Sequence, residues 1–157
     1  MKIRSGLVFV SLMLVFVSLL MALATEARAQ SPAAADAAAI KQAALDYIEG
    51  WYEGNAERME RALHPELAKR IVRTGKEGYS NLGQMSAMSL VLGVRRGGGK
   101  ETPKEKQQKD VTVLDVYENA ASAKVVASDW VDYLHLAKWN GRWVIVNVLW
   151  ELKPEKK

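Results

Sequence analysis

The chain has no cysteine. That excludes disulfides, thiol catalysis and Cys-ligated zinc or iron–sulfur centres. Histidine is almost as scarce. His64 and His135 lie far apart, and no carboxylates cluster near them at ligand spacing, so no metal site is expected. No Ser-His-acid set and no glycine-flanked nucleophile can be read. Gly97-Gly98-Gly99 is not a phosphate loop, because Glu101 follows Gly99-Lys100 where Ser or Thr is needed, and Val94 stands where the first glycine belongs. The formal charge of +4 is too small to argue for nucleic acid or another polyanion as partner. No cofactor is expected. At 49% apolar residues the chain is not disordered, and its 157 residues suit one domain.

One long hydrophobic run is present, at the start. Lys2 and Arg4 precede the uncharged stretch Leu7 to Leu23, and Ala27-Arg28-Ala29 supplies small residues where an export peptidase reads them. This is the three-part pattern of a secretory signal peptide, with cleavage after Ala29. The alternative is an uncleaved anchor, since the run sits at the short limit for a bilayer core of about 30 Å. The expected organisation is a signal peptide over 1–29, a Ser/Pro/Ala linker over 30–37 and a domain over 38–153. The expected location is periplasmic or secreted, with membrane contact only if the leader is kept. Removing the leader takes Lys2, Arg4, Arg28 and Glu26 with it and lowers the charge to +2.

Beyond the linker, Ile40, Ala44, Tyr47, Ile48 and Trp51 mark one face of a helix that Gly54 caps. Asn55 caps a short second helix that stops at His64-Pro65. Leu67 to Arg73 reads as a short strand, residues 74–78 as a turn, and 81–94 as a third helix on the spacing of Leu82, Met85, Met88, Val91 and Leu92. Arg95 to Lys109 reads as a mobile solvated loop whose basic residues leave an anion or membrane-surface patch as the alternative. From Asp110 the pattern is β: a strand over 111–117, a turn at Asn119-Ala120, and over 122–139 one long strand, or two with a kink near Ser128-Asp129. Asn140-Gly141 then gives a two-residue hairpin signal before the last strand, 142–152. Helices first and a sheet last make the class α+β.

The hairpin pairs Trp139 with Arg142. Stepping outward without interruption, Leu136 faces Ile145, Leu134 faces Asn147 and Asp132 faces Leu149. The opposite face then carries Tyr133, His135, Val144, Val146, Val148 and Trp150. That face is apolar enough to imply a covering partner, most simply a second copy of the chain.

Three stretches carry a resemblance: Asp46-Tyr47-Ile48-Glu49-Gly50-Trp51-Tyr52, then Asp129 to Leu136, then the Gly141-Arg142-Trp143 strand start. Over roughly residues 38–152 the chain resembles the nuclear transport factor 2-like (SnoaL-like) superfamily and, within it, the putative lumazine-binding family. The resemblance implies a cone, with N-terminal helices packed on a strongly curved antiparallel sheet and a pocket at the open end. It also implies that the face bearing Trp143 and Ile145 points inward. The expected pocket residues are then Tyr47, Trp51, Trp130, Asp132, Leu134, Asn147 and Leu149. An Asp132–Asn147 pair in an apolar cavity could orient a ligand hydroxyl or carbonyl, or Asp132 could serve as a general base. The alternative role for Asp132 is structural. The superfamily hosts both enzymes and binding domains, so the expected function is an exported domain binding a small apolar ligand. An isomerase- or dehydratase-type enzyme, or an envelope interaction module, is the alternative.

The purified exported protein is expected to begin at Gln30. Intact-mass measurement checks this, and retention of residues 1–29 would establish the anchor instead.

Overall fold

The computed structural model describes residues 31–154, so the leader read in residues 1–29 lies outside the described residues. Helix α1 runs Pro32–Glu53. It opens on a proline, whose fixed φ and missing N–H suit the first helical position, so the helix starts inside the stretch read as linker. Its inward face carries Ile40, Ala44, Tyr47 and Ile48, all buried. Gly54 ends it at φ +65°, as a left-handed terminator requires. Asn55 caps helix α2 (Ala56–Ala62), its side chain accepting the Arg58 N–H at 3.0 Å.

Strand β1 (Leu63–Thr74) follows at once. Pro65 falls in the irregular stretch between the Leu63 and Ala68 pairings, where a missing donor breaks no ladder bond. Strand β2 (Ser80–Ser86) returns antiparallel along β1, from Thr74↔Ser80 to Ala68↔Ser86. The third helix is therefore shorter than its apolar spacing suggested. Residues 80–86 are held by the β1 ladder, and helix α3 is confined to Ala87–Arg95, capped by the Ser86 hydroxyl on Ser89 N–H. A 3-10 turn at Lys104–Lys106 leads to β3 (Lys109–Tyr117), β4 (Ala120–Ala127), β5 (Trp130–Trp139) and β6 (Arg142–Leu152). Of the two readings of 122–139, the two-strand one holds, with the break at Ser128-Asp129.

The three helices pack on one open six-stranded sheet of order β2-β1-β6-β5-β4-β3. The sheet is mixed and not wholly antiparallel, because β1 and β6 run parallel. A buried cluster ties helices to sheet through Ile48, Met59, Leu90, Val125, Leu134, Ile145 and Val148. Polar ties reinforce it. Asp46, on α1, accepts from Arg58 Nε at 2.9 Å and Arg61 Nε at 3.1 Å on α2. Burial raises the Asp46 pKa, but the two arginines and Gln42 more than offset it and hold the carboxyl below its usual 3.8. Asp36 accepts from Lys138 and from the Trp143 indole, anchoring the start of α1 to the β5–β6 hairpin.

That hairpin departs from its expected register at one point. Asn140 and Gly141 take φ of +48° and +78°, and Trp139↔Arg142 and Leu136↔Ile145 pair as a two-residue turn dictates. Next, however, His135 pairs with Asn147, leaving Val146 as an extra residue. Past this bulge Leu134 pairs with Val148 and Asp132 with Trp150, so the expected Leu134/Asn147 and Asp132/Leu149 pairs do not form. Side chains alternate with period two, so one inserted residue exchanges the faces of everything beyond it. Val148 is fully buried, whereas Leu149 is 52% exposed. The apolar strip read for the outer face loses Val148 and Trp150 to the interior, and its Val144 is itself buried.

Truncation reads this register directly. Val148→Ala should cost about 2 kcal/mol, the value of a fully buried valine side chain, while Leu149→Ala should stay within about 0.5 kcal/mol. Urea unfolding of both variants is the measurement. The reverse ranking would restore the uninterrupted hairpin.

Candidate functional site

The alternation of β1 puts Leu67, Lys69 and Ile71 on the buried face, so a lysine occupies an apolar position. Its side chain is 5% exposed and ends 2.6 Å from Asp132 Oδ1, on β5, whose side chain is completely buried. β6 lies between these strands, and Lys69 reaches past it with its ammonium 4.7 Å from the centre of the Trp150 ring. Tyr47, from α1, closes the group. Lys69 Nζ donates to the Tyr47 hydroxyl at 2.5 Å, and that hydroxyl donates to Asp132 Oδ2 at 3.2 Å. Trp130 Nε1 donates to the same carboxylate oxygen at 2.7 Å.

Asp132 therefore accepts from an ammonium, a phenol and an indole. Charge-assisted bonds of this kind stabilise the ionised carboxylate. Burial drives the Tyr47 hydroxyl well above its ordinary pKa, and the neighbouring Asp132 charge adds to the effect. For Lys69 burial lowers the pKa, against an opposing pull from Asp132.

Lys69 and Tyr47 border a partly open cavity of about 110 Å³. Trp51 of α1, Met59 of α2 and Leu90 of α3 form its helical wall, and Met85 of β2, Trp130 of β5 and Trp150 of β6 form its sheet wall. The Trp51 indole is backed by the glycine loop. A Cβ on Gly99 would lie 2.3 Å from Trp51 Cδ1, and Gly99 N–H bonds the Trp51 carbonyl at 3.1 Å. The segment read as a mobile solvated loop is thus packed at this point against the cavity wall. Trp150 Nε1 is buried and has no hydrogen-bond partner among the described residues. An unsatisfied buried donor costs about 1–3 kcal/mol.

Of the expected pocket residues, Tyr47, Trp51 and Trp130 line the cavity. Asp132 stands behind Lys69 and Tyr47, holding them without itself forming the wall, and Leu134 is core. Asn147 and Leu149 are not in the pocket. The bulge turns both outward, where Asn147 accepts from Arg70 Nη1 at 2.9 Å and contacts His135 Nδ1. The expected Asp132–Asn147 pair is replaced by Asp132–Lys69. Lys69 was missed by sequence reasoning, although a charge in the buried phase of Leu67-Lys69-Ile71 was a usable signal. Trp150 was assigned to the wrong face. Among the described residues, no group of three or more His, Asp and Glu side chains could hold a metal, and no helix is long and apolar enough to cross a membrane.

Residues 35–151 match the family described as putative lumazine-binding. Solved structures share the fold. An NTF2-like protein of unknown function from Methylobacillus flagellatus KT is 22% identical, with a TM-score of 0.63 over 80% of this chain and 98% of its own. One from Shewanella baltica OS155 is 19% identical, with a TM-score of 0.58 over 75% and 94%. A third, with a cystatin-like fold, comes from Novosphingobium aromaticivorans and is 12% identical, with a TM-score of 0.56 over 78% and 84%. No curated protein matches the sequence significantly.

Breaking the buried pair from one side should be severe. Lys69→Met strands the Asp132 charge and is expected to cost about 3–5 kcal/mol. Lys69→Met combined with Asp132→Asn removes both charges, keeps an acceptor for Trp130, and should recover most of the loss. Chemical denaturation of the two variants tests this, and a single-variant cost below about 1 kcal/mol would show the pair is not a buried ion pair.

Proposed function

The chain belongs to the putative lumazine-binding family of the NTF2-like superfamily, and we propose that it is an exported small-molecule-binding domain. Its ligand is compact and apolar and carries one carbonyl or carboxylate oxygen. The observation that carries this reading is the composition of the cavity: an almost wholly apolar wall of Trp, Met and Leu, in which Trp150 contributes a buried Nε1 with no partner among the described residues. A dry cavity of about 150 Å³ accommodates benzene, and this one is smaller at about 110 Å³, so a group no larger than one ring suits it, with any remainder projecting through its opening. A cation is disfavoured, because Lys69 already fills the space over the Trp150 and Tyr47 rings.

Asp132 suits a structural role better than that of a base acting on substrate. Its oxygens are taken by three donors, and Lys69 and Tyr47 stand between it and the cavity. The proposal retains pairing of two copies through the outer sheet face. The surface for it is now centred on the cross-strand pair Tyr133 and Leu149, each about half exposed.

Titration of tryptophan fluorescence with acetophenone, benzoate and benzylamine tests the binding reading. Acetophenone or benzoate should saturate the signal while benzylamine binds far more weakly. Trp150→Phe, which removes one hydrogen bond, should weaken binding roughly three- to tenfold. Absence of saturable binding by both oxygen-bearing probes, or equal binding of the amine, would overturn it.

A further inference from the structure

The two edges of the sheet are built differently, and we propose that β2 is a docking edge to which an extended acidic segment of another protein adds as a further strand. β2 and β3 end the strand order. β3 carries Lys109, Asp110 and Asp115, and its ladder shifts register between Val113 and Asp115. Charges and bulges of this kind keep foreign strands off an edge. β2 has neither. Its sequence, Ser80 to Ser86, holds no charged residue and no proline, and it pairs with β1 throughout without a register shift. Residues 80–82, 84 and 86 are exposed. Among the described residues no strand pairs with its free side. A regular, uncharged row of unpaired N–H and C=O groups is a template for strand addition.

The side chains beside this edge fix the chemistry of the partner. Alternation places Asn81, Gly83 and Met85 on the face of the cavity, which Met85 lines, and Leu82 and Gln84 on the outer face. On the inner side Gly83 leaves a gap that a guanidinium fills, since a Cβ there would lie 2.7 Å from Arg73 Nη1. Arg73 leans on the Trp150 ring, its Cζ 6.0 Å from the ring centre. It enters no ion pair among the described residues. A strand added beside Gly83 can therefore bring an acidic side chain to that guanidinium with no β2 side chain in between. On the outer side Leu82 and its cross-strand partner Val72 are 59% and 47% exposed. The next residue of the added strand points there, where an apolar side chain covers the pair best. The partner is thus an extended segment that alternates acidic and apolar residues. A second copy of β2 fits poorly, because it would bring another Arg73 and no acid.

Fluorescence anisotropy tests the proposal. The probe is a labelled, capped hexapeptide of alternating valine and glutamate, titrated at low salt with the purified exported protein. Saturable binding is expected. Replacing its glutamates with lysine should weaken binding at least about tenfold, because like charges then meet at Arg73. Methylating the peptide's backbone nitrogens keeps its charge but removes the ladder donors, and should abolish binding. Both comparisons use the wild-type chain, so neither depends on a variant that folds. Arg73→Gln should weaken the parent peptide about two- to fivefold, the value of one exposed ion pair, and flatten its salt dependence. Absence of saturable binding, equal binding of the lysine peptide, or undiminished binding of the methylated one would overturn the proposal. So would a wild-type dimer that survives Tyr133→Lys but is lost on Leu82→Lys, with no peptide bound, since that result gives the edge to a second copy.

Discussion

The contact between Lys69 and Asp132 constrains the fold around it. Two ions taken out of water each carry a penalty of several kcal/mol, repaid only with close geometry and further hydrogen bonds. Meeting that condition requires β1 and β5 to hold fixed positions on either side of β6, α1 to present Tyr47, and β5 to turn the Trp130 indole inward. One pair thereby ties both halves of the sheet to α1. A purely apolar contact at this place would tolerate sliding. A charge pair with three fixed donors on one carboxylate does not.

The bulge at Val146 is what makes the arrangement possible. Without it, Asp132 would sit across from Leu149, Trp150 would point to the outer face, and Lys69 would lose the ring whose face lies 4.7 Å from its ammonium. Inserting one residue into β6 keeps the turn-proximal pairs Trp139–Arg142 and Leu136–Ile145 in place and exchanges the faces beyond. It also sets Asn147 beside His135 and Arg70 on the outside, where all three polar side chains find partners. The local irregularity thus resolves two problems together, supplying an aromatic wall within and hydrogen bonds without.

Much of the architecture was legible because it rests on local chemistry. Gly54, Asn55 and Asn140-Gly141 act through φ and capping, and each ends or begins an element where expected, whereas Pro65, expected to stop the second helix, lies inside β1. The bulge was not legible. Val144-Ile145-Val146-Asn147-Val148-Leu149-Trp150 is apolar in both phases of a two-residue period, so nothing in it marks where the alternation slips. The strand at 80–86 was hidden for a related reason: Leu82 and Met85 fit a helical spacing, and only the long-range ladder to β1 decides between the two. The resemblance carried the fold, but the pocket list inherited the unbulged register. Tyr47, Trp51 and Trp130 survived because their positions do not depend on β6, whereas Asn147 and Leu149 did not.

The site's polarity follows from the same geometry. A carboxylate buried behind an ammonium and a phenol has no open lone pair to offer a substrate carbon, so the acid that stood out in the sequence is the shielded member of the pair. The cavity wall itself is almost wholly apolar, and the polar atoms its residues carry behind it are nitrogens, the Lys69 amine on β1 and the Trp150 indole N–H on β6. Donors in an apolar enclosure select for oxygen, because a ligand without an acceptor would leave them unpaired. The carboxylate behind them sets how strongly the amine holds its proton.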